Sequence, residues 1–181
     1  MIQIRPATSL DLSFIQSIYA HHVLTGTGSF ELEPPSMEEM RNRFEAVRAN
    51  DMPYLVAIDD QANAKEPSTV ILGFAYANWF RPRQAYRFTV EDSIYLAPAA
   101  QGRGVGKRLL ETLIEQCEAK GCRQMIAVIG DSQNLASIGV HARCGFRHTG
   151  LLRSSGWKFE RWLDTVFMQR ELGNADRSAP T

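Results

Sequence analysis

Between Glu91 and Glu115 the chain reads EDSIYLAPAAQGRGVGKRLLETLIE, and no other stretch limits the fold so strongly. A strand-like run closes at Leu96, a proline turn follows, and Gly102, Gly104 and Gly106 stand just ahead of a helix pattern. The helix has an apolar face of Leu109, Leu110, Leu113, Ile114 and Cys117, and Gly121 is its stop signal. A strand, a glycine turn and a helix N-terminus in that order predict a sheet with a helix packed across it. They also predict an anion site. The first helical N–H groups lack intrahelical acceptors, and the helix dipole puts its positive end there. Absent side chains at the three glycines let a ligand approach the backbone. Arg103, Lys107 and Arg108 add charge. Two phosphate motifs fail on inspection. GxGxxG would need a glycine where Lys107 stands, and the Walker pattern breaks at Gln101 and Arg108.

The remaining chain alternates strand and helix patterns. IQIR and YLVAI read as strands, VILGFAYANWF and YRFTVEDSIYL as two more, and QMIAVI as another. Thr8 and Asp11 cap a helix carrying Leu12, Ile15, Tyr19 and Val23. Ser36 and Glu39 form a capping box ahead of Met40, Phe44 and Val47. NLASIGVHARCG is a short helix stopped by Gly145, and two last strands are expected around FRHTGLL and RWLDTVFMQREL. DDQANAKEPST reads as a polar hairpin connection, and residues 173–181 as a disordered tail. The pattern gives one domain over 1–172 with a mixed α/β or α+β sheet.

Composition narrows the function classes. Twenty basic residues balance twenty acidic ones with no basic block, which argues against a general nucleic-acid or membrane surface. The start, MIQIRPATSLDLSF, shows no secretory pattern, and no apolar run approaches about 18 residues. Cys117, Cys122 and Cys144 form neither a CxxC nor an even disulfide framework, so a reduced, cytoplasmic setting is expected. His21-His22 is no metal pair, because adjacent helical residues point about 100° apart and no third ligand stands nearby.

Gln101 to Gly106 resembles the Q/R-x-x-G-x-G/A pyrophosphate loop of the GCN5-related N-acetyltransferase (GNAT) superfamily. IRPAT, AYRFTVEDSIYL, AVIGDSQNLASIGVHARCGF and GWKFERWLDTVFMQ together resemble its phosphinothricin / methionine sulfoximine acetyltransferase branch. The resemblance runs from Ile4 to about Leu172. It implies a central mixed, mostly antiparallel sheet of about seven strands, with fourth and fifth strands splayed, flanked by about four helices. It implies acetyl-CoA as cosubstrate, a small amino-acid-like amine as acceptor, no metal, and a homodimer.

Site residues follow from the same resemblance. The backbone of Ile94, Tyr95 and Leu96 would hold the pantetheine arm, with an N–H near Leu96 facing the thioester oxygen. Gln101, Gly102, Arg103, Gly104, Val105, Gly106 and Lys107 would take the pyrophosphate. Asn134, Ser137 and His141 recur at +3 and +7 on one helix stripe. Asn134 either bonds the pantetheine arm or caps the helix, and Ser137 either joins it or faces solvent. His141 occupies a position where many relatives outside this branch carry a tyrosine acid. It is either that acid or a packing residue.

An amine must lose its ammonium proton before it attacks a thioester. On TVEDSIYL, Thr89, Glu91, Ser93 and Tyr95 share one face and Asp92 points away. The resemblance selects Glu91 as general base, directly or through water. It places Arg81, Pro82, Arg83, Asp92 and Ser93 around the acceptor, with Arg81 the first choice to clamp its carboxylate. Phe30 is expected as a pocket wall, and Trp157, Lys158, Phe159 and Trp162 as far wall, core or dimer contact. Other amine acetyltransferases (for protein N-termini, polyamines or antibiotics) and a silent acyl-CoA sensor are the rivals.

Overall fold

The computed structural model describes residues 2–59 and 70–180. One seven-stranded sheet organises it, in the order β1-β2-β3-β4-β5-β7-β6. The strands are β1 (Ile2–Pro6), β2 (Tyr54–Asp59), β3 (Val70–Trp79), β4 (Thr89–Leu96), β5 (Gln124–Gly130), β6 (Arg147–Lys158) and β7 (Arg161–Glu171). Every neighbouring pair is antiparallel except β4 and β5. The hairpin connection expected at 59–69 lies, from residue 60 onward, outside the described residues.

Helices α1 (Leu12–Thr25) and α2 (Met37–Ala49) cover one face of the first half of the sheet. Their buried stripes, Leu12, Ile15, Tyr19 and Val23 on one and Met40, Phe44 and Val47 on the other, meet Tyr54, Val56 and Phe74. The box at Thr8 and Asp11 forms ahead of α1, and of the box at Ser36 and Glu39 only the Ser36 half does, since the Glu39 carboxylate accepts from Arg43 Nε at 2.8 Å. Asp11 accepts from the Thr8 N–H and hydroxyl through a short turn at Ser9–Asp11, and Ser36 accepts from the Glu39 N–H at 3.1 Å. On the opposite face, α3 (Val105–Ala119) buries Leu109, Leu110, Leu113 and Ile114 against Val90, Met125 and Ala127. The short α4 (Leu135–Arg143) packs beside it, and Gly145 beyond it takes φ 84, as a helix stop requires.

Three regions depart from the sequence reading. Tyr86, Arg87 and Phe88 look strand-like, but Gln84–Tyr86 is a 3-10 turn and β4 starts only at Thr89. The Arg87 N–H bonds Gln84 O, and the Phe80 N–H bonds Thr89 O to close the loop. Strand β6 runs far past Leu152, because a bulge between Leu152 and Gly156 lets the chain rejoin β7 after RSS. Residues 173–180, expected as a disordered tail, run in turns instead. Ala175 is buried there, and Arg123 donates to Ala175 O and Ser178 Oγ. No helix among the described residues is long and apolar enough to cross a membrane.

Candidate active site

A fork in the sheet defines the site. Strands β4 and β5 pair in parallel only from Thr89–Gln124 to Asp92–Ala127. Beyond Asp92, β4 stays on β3 to Leu96, while β5 stays on β7 to Gly130. The Ala97 N–H bonds Leu72 O, and backbone bonding alternates along an antiparallel strand. The polar groups of Ile94 and Leu96 therefore face the gap. A ligand arm can add there as an extra strand. Tyr95, expected to lend its backbone to the arm, faces the other way: the same alternation pairs it with Phe74 on β3, its ring packs on Tyr19, His22 and Phe74, and burial pushes its hydroxyl well above the usual range.

The glycine loop closes one end of this gap. Gly102 and Gly104 adopt φ 73 and 77, left-handed conformations that a side chain resists, and an added Cβ on either meets nothing within 4 Å. Gly104 is the N-cap of α3, and the first intrahelical bond runs from the Arg108 N–H to Gly104 O. The N–H groups of Val105, Gly106 and Lys107 thus have no intrahelical acceptor, which is the donor set of an anion cradle. Gly106 serves packing instead: a Cβ there would stand 3.3 Å from Leu96 Cδ1. Gln101 is exposed at the loop's start. Arg103 pairs with Asp59 at 2.8 Å and Lys107 with Glu111 at 3.3 Å, so the backbone, more than these cations, forms the cradle.

Helix α4 meets the gap from below. Asn134 is its N-cap, accepting from the Ser137 N–H at 3.2 Å and donating to Gly130 O at 3.4 Å. His141 is enclosed. Its Nδ1 donates to Ser137 O at 2.7 Å, and its Nε2 meets Asp92 Oδ2 at 3.0 Å. Burial works against its charge, but the Asp92 hydrogen bond and carboxylate, with the Ser137 carbonyl, hold it above the usual imidazole range. Asp92 therefore sits at the fork on the α3/α4 side, joined to His141 and turned away from the acceptor cleft. Asp92 Oδ1 is buried with no partner among the described residues. The sequence separates this pair by 49 residues and gives no sign of it.

Glu91 occupies the other face, half-buried, opposite Asn78 on β3 and Ile126 on β5. Burial first, then the neighbouring Asp92 charge, raises its pKa, and Arg81 pulls the other way. Ser93 shares this face with Tyr76 across the β3–β4 pair. Arg81, Pro82 and Arg83 form an exposed turn at the rim, with the Arg81 guanidinium 4.8 Å from the Phe80 ring centroid. Phe30 is a wall: its ring lies so close to Gly130 and Gly156 that a Cβ on either would come within 2.9 and 2.4 Å of it. The structure thus brings Glu91, Ser93, Phe30 and the Arg81 turn to one face, and Ile94, Leu96, the glycine loop and Asn134 to the gap beside them.

Two residues make contacts that their sequence positions do not announce. His22 reaches over from α1 and donates Nε2–H to Leu96 O at 2.7 Å, and burial lowers its pKa, so it stays neutral there. Lys158, on the far side, is buried and donates to two carbonyls of the α1–α2 connection. Neither has a spacing signal. No cluster of three or more His, Cys, Asp or Glu suited to a metal occurs among the described residues.

Comparison with known proteins agrees with this geometry. The profile of the Acetyltransferase (GNAT) family matches residues 15–146. Phosphinothricin N-acetyltransferase of Alcaligenes faecalis is 54% identical over 170 residues, 94% of this chain and 82% of that protein. An L-methionine sulfoximine/L-methionine sulfone acetyltransferase of Pseudomonas paraeruginosa is 39% identical over 98% of both chains. The crystal structure of a GNAT superfamily phosphinothricin acetyltransferase from Sinorhizobium meliloti in complex with AcCoA matches with TM-score 0.93 at 46% identity. It covers 99% of this chain and 93% of that one. A forked seven-stranded sheet, a glycine cradle at its open end and these relatives agree: the chain belongs to the acetyltransferase (GNAT) family.

Proposed function

We propose that this acetyltransferase moves the acetyl group of acetyl-CoA to the amine of a small amino-acid-like acceptor of the phosphinothricin, methionine sulfoximine or methionine sulfone type. Residues 1–172 act as one domain in a cytoplasmic homodimer. The fork and cradle fit the cosubstrate: backbone groups of Ile94 and Leu96 pair with its arm, and the first turn of α3 takes its pyrophosphate. Bound acetyl-CoA supplies the activated thioester.

Glu91 is the base. Its raised pKa beside the fork is the observation that carries this assignment, because a carboxylate moved toward the working pH accepts an ammonium proton more readily. The neutral amine attacks the thioester carbonyl, a backbone N–H at the end of β4 steadies the oxyanion, and as the C–S bond breaks the coenzyme A thiolate leaves and takes up the proton that the new amide nitrogen gives up. Direct transfer is favoured over an acyl-enzyme. All three cysteines are buried, and burial raises the Cys144 thiol further. His141 and Asp92 act together as the fixed pair at the fork, since both imidazole nitrogens are engaged within the protein. Arg81 at the rim receives the acceptor's carboxylate.

Dimerisation is read from the edge strand. Leu152, Trp157 and Trp162 on β6 and β7 are 52, 55 and 62% exposed, an apolar edge that a second copy would cover. The test of the catalytic assignment is Glu91→Gln. Turnover should fall by about 100-fold or more while acetyl-CoA affinity stays within about threefold. Unchanged turnover removes Glu91 from the chemistry.

A further inference from the structure

A lysine ammonium is seldom buried without a carboxylate beside it. Lys158 is 3% exposed and makes no ion pair among the described residues. Its Nζ instead donates to Gly26 O at 3.0 Å and Ser29 O at 2.7 Å, and lies 5.0 Å from the Phe159 ring centroid. Gly26 is the C-cap of α1, so the ammonium stands at the negative end of that helix, which compensates its charge in place of a carboxylate. Glu31 is the acidic group that adds attraction from further off.

The segment so held is the connection that crosses from α1 to the second half of the sheet. Its other end is fixed by the Phe30 ring in the slot between Gly130 and Gly156, and Ser29 Oγ meets Tyr19 Oη at 3.0 Å. Gly28 in its middle is so near the α4 cap that an added Cβ would stand 3.8 Å from Asn134 Nδ2. Residues 26–30 therefore cross the open end of β5 beside the α4 cap.

We propose that Lys158 is a positioning residue for acceptor specificity. By bolting residues 26–30 from the β6–β7 hairpin, it fixes Phe30 and so sets the size of the acceptor pocket. This rests on the amino-acid acetyltransferase reading given above. Lys158→Met keeps the stem and removes the donors. In the folded variant, backbone hydrogen exchange across residues 24–32 should rise at least tenfold. KM for methionine sulfoximine should rise about tenfold, with KM for acetyl-CoA within threefold. Lys158→Arg should recover part of the protection. Gly156→Ala, whose Cβ would stand 2.4 Å from the Phe30 ring, displaces that ring with Lys158 intact and should raise the acceptor KM in the same way, and if Lys158→Met does not fold, exchange across residues 24–32 in Lys158→Arg against wild type decides the matter. Unchanged exchange across 24–32, or an acceptor KM that does not move while exchange rises, overturns the proposal. If the wild type acetylates no amino-acid analogue, the functional reading fails by itself, and unchanged exchange still refutes the bolt.

Discussion

Replacing Asp92 by Ala tests the buried pair at the fork. The Asp92 and His141 side chains are 1% and 2% exposed, and their only ionic contact among the described residues is the 3.0 Å Nε2–Oδ2 bond. Losing one hydrogen bond to a charged group costs about 1.5–3 kcal/mol. Stranding a buried charge costs about 3–5 kcal/mol. His141 can shed its proton and keep the bond to Ser137 O, so the outcome should lie where those ranges meet, at about 3 kcal/mol. At about 2–4 °C per kcal/mol for a chain of this size, Tm should drop by about 6–12 °C. The pH dependence gives a sharper check. A pKa raised in the folded state contributes stability that is complete below the unfolded value, about 6.5, and fades as pH rises through the folded value. The deficit of Asp92→Ala, measured by urea unfolding, should therefore be larger at pH 6 than at pH 9. Asp92→Asn, which keeps an acceptor without the charge, should lose less. A deficit below about 0.5 kcal/mol, or one equal at both pH values, would refute the reasoning.

Arg81→Ala should raise KM for a carboxylate-bearing acceptor. Because Arg81 holds the Glu91 pKa down, the same change should move the acid limb of kcat/KM to higher pH, which a pH–rate profile reads directly. Gly104→Ala strains a residue at φ 77 by about 1–2 kcal/mol at the mouth of the cradle. Calorimetry should show weaker acetyl-CoA binding, with acceptor KM unchanged. Ser36→Ala removes the α2 cap and should lower stability by about 1 kcal/mol in denaturant titration while leaving turnover alone. For the proposed dimer, Trp162→Glu should shift sedimentation toward the monomer, and an unchanged sedimentation coefficient refutes this interface.

Periodicity made the helices legible because each buries a stripe: Leu109, Leu110 and Leu113 signal α3 without any knowledge of their partners. The capping residues Thr8 and Ser36 were legible because they act within four residues. Strand limits were harder. Tyr86 to Phe88 have strand propensity, yet the turn at Gln84–Tyr86 wins because its backbone bonds close locally. RSSG lies past the expected strand FRHTGLL, yet Asp164 accepts from the Ser154 N–H at 2.9 Å and Ser154 takes φ 51, so the bulge keeps β6 on β7. In the site, alternation along β4 separated Glu91 from Asp92 before any coordinates, and the glycine loop announced its cradle. What stayed hidden was long-range polar pairing. Nothing in the spacing joins His141 to Asp92, His22 to Leu96 or Lys158 to Ser29, since each bond depends on how two segments distant in sequence meet.

The chemistry this site supports is acetyl transfer to an amino-acid amine. Thiol release from acetyl-CoA by the purified protein, with methionine sulfoximine, phosphinothricin, methionine sulfone, spermidine and a short peptide as acceptors, tests it most directly. The account predicts rapid release with the first three and none above background with the last two. Release with spermidine or peptide alone, or with no acceptor at all, would contradict it.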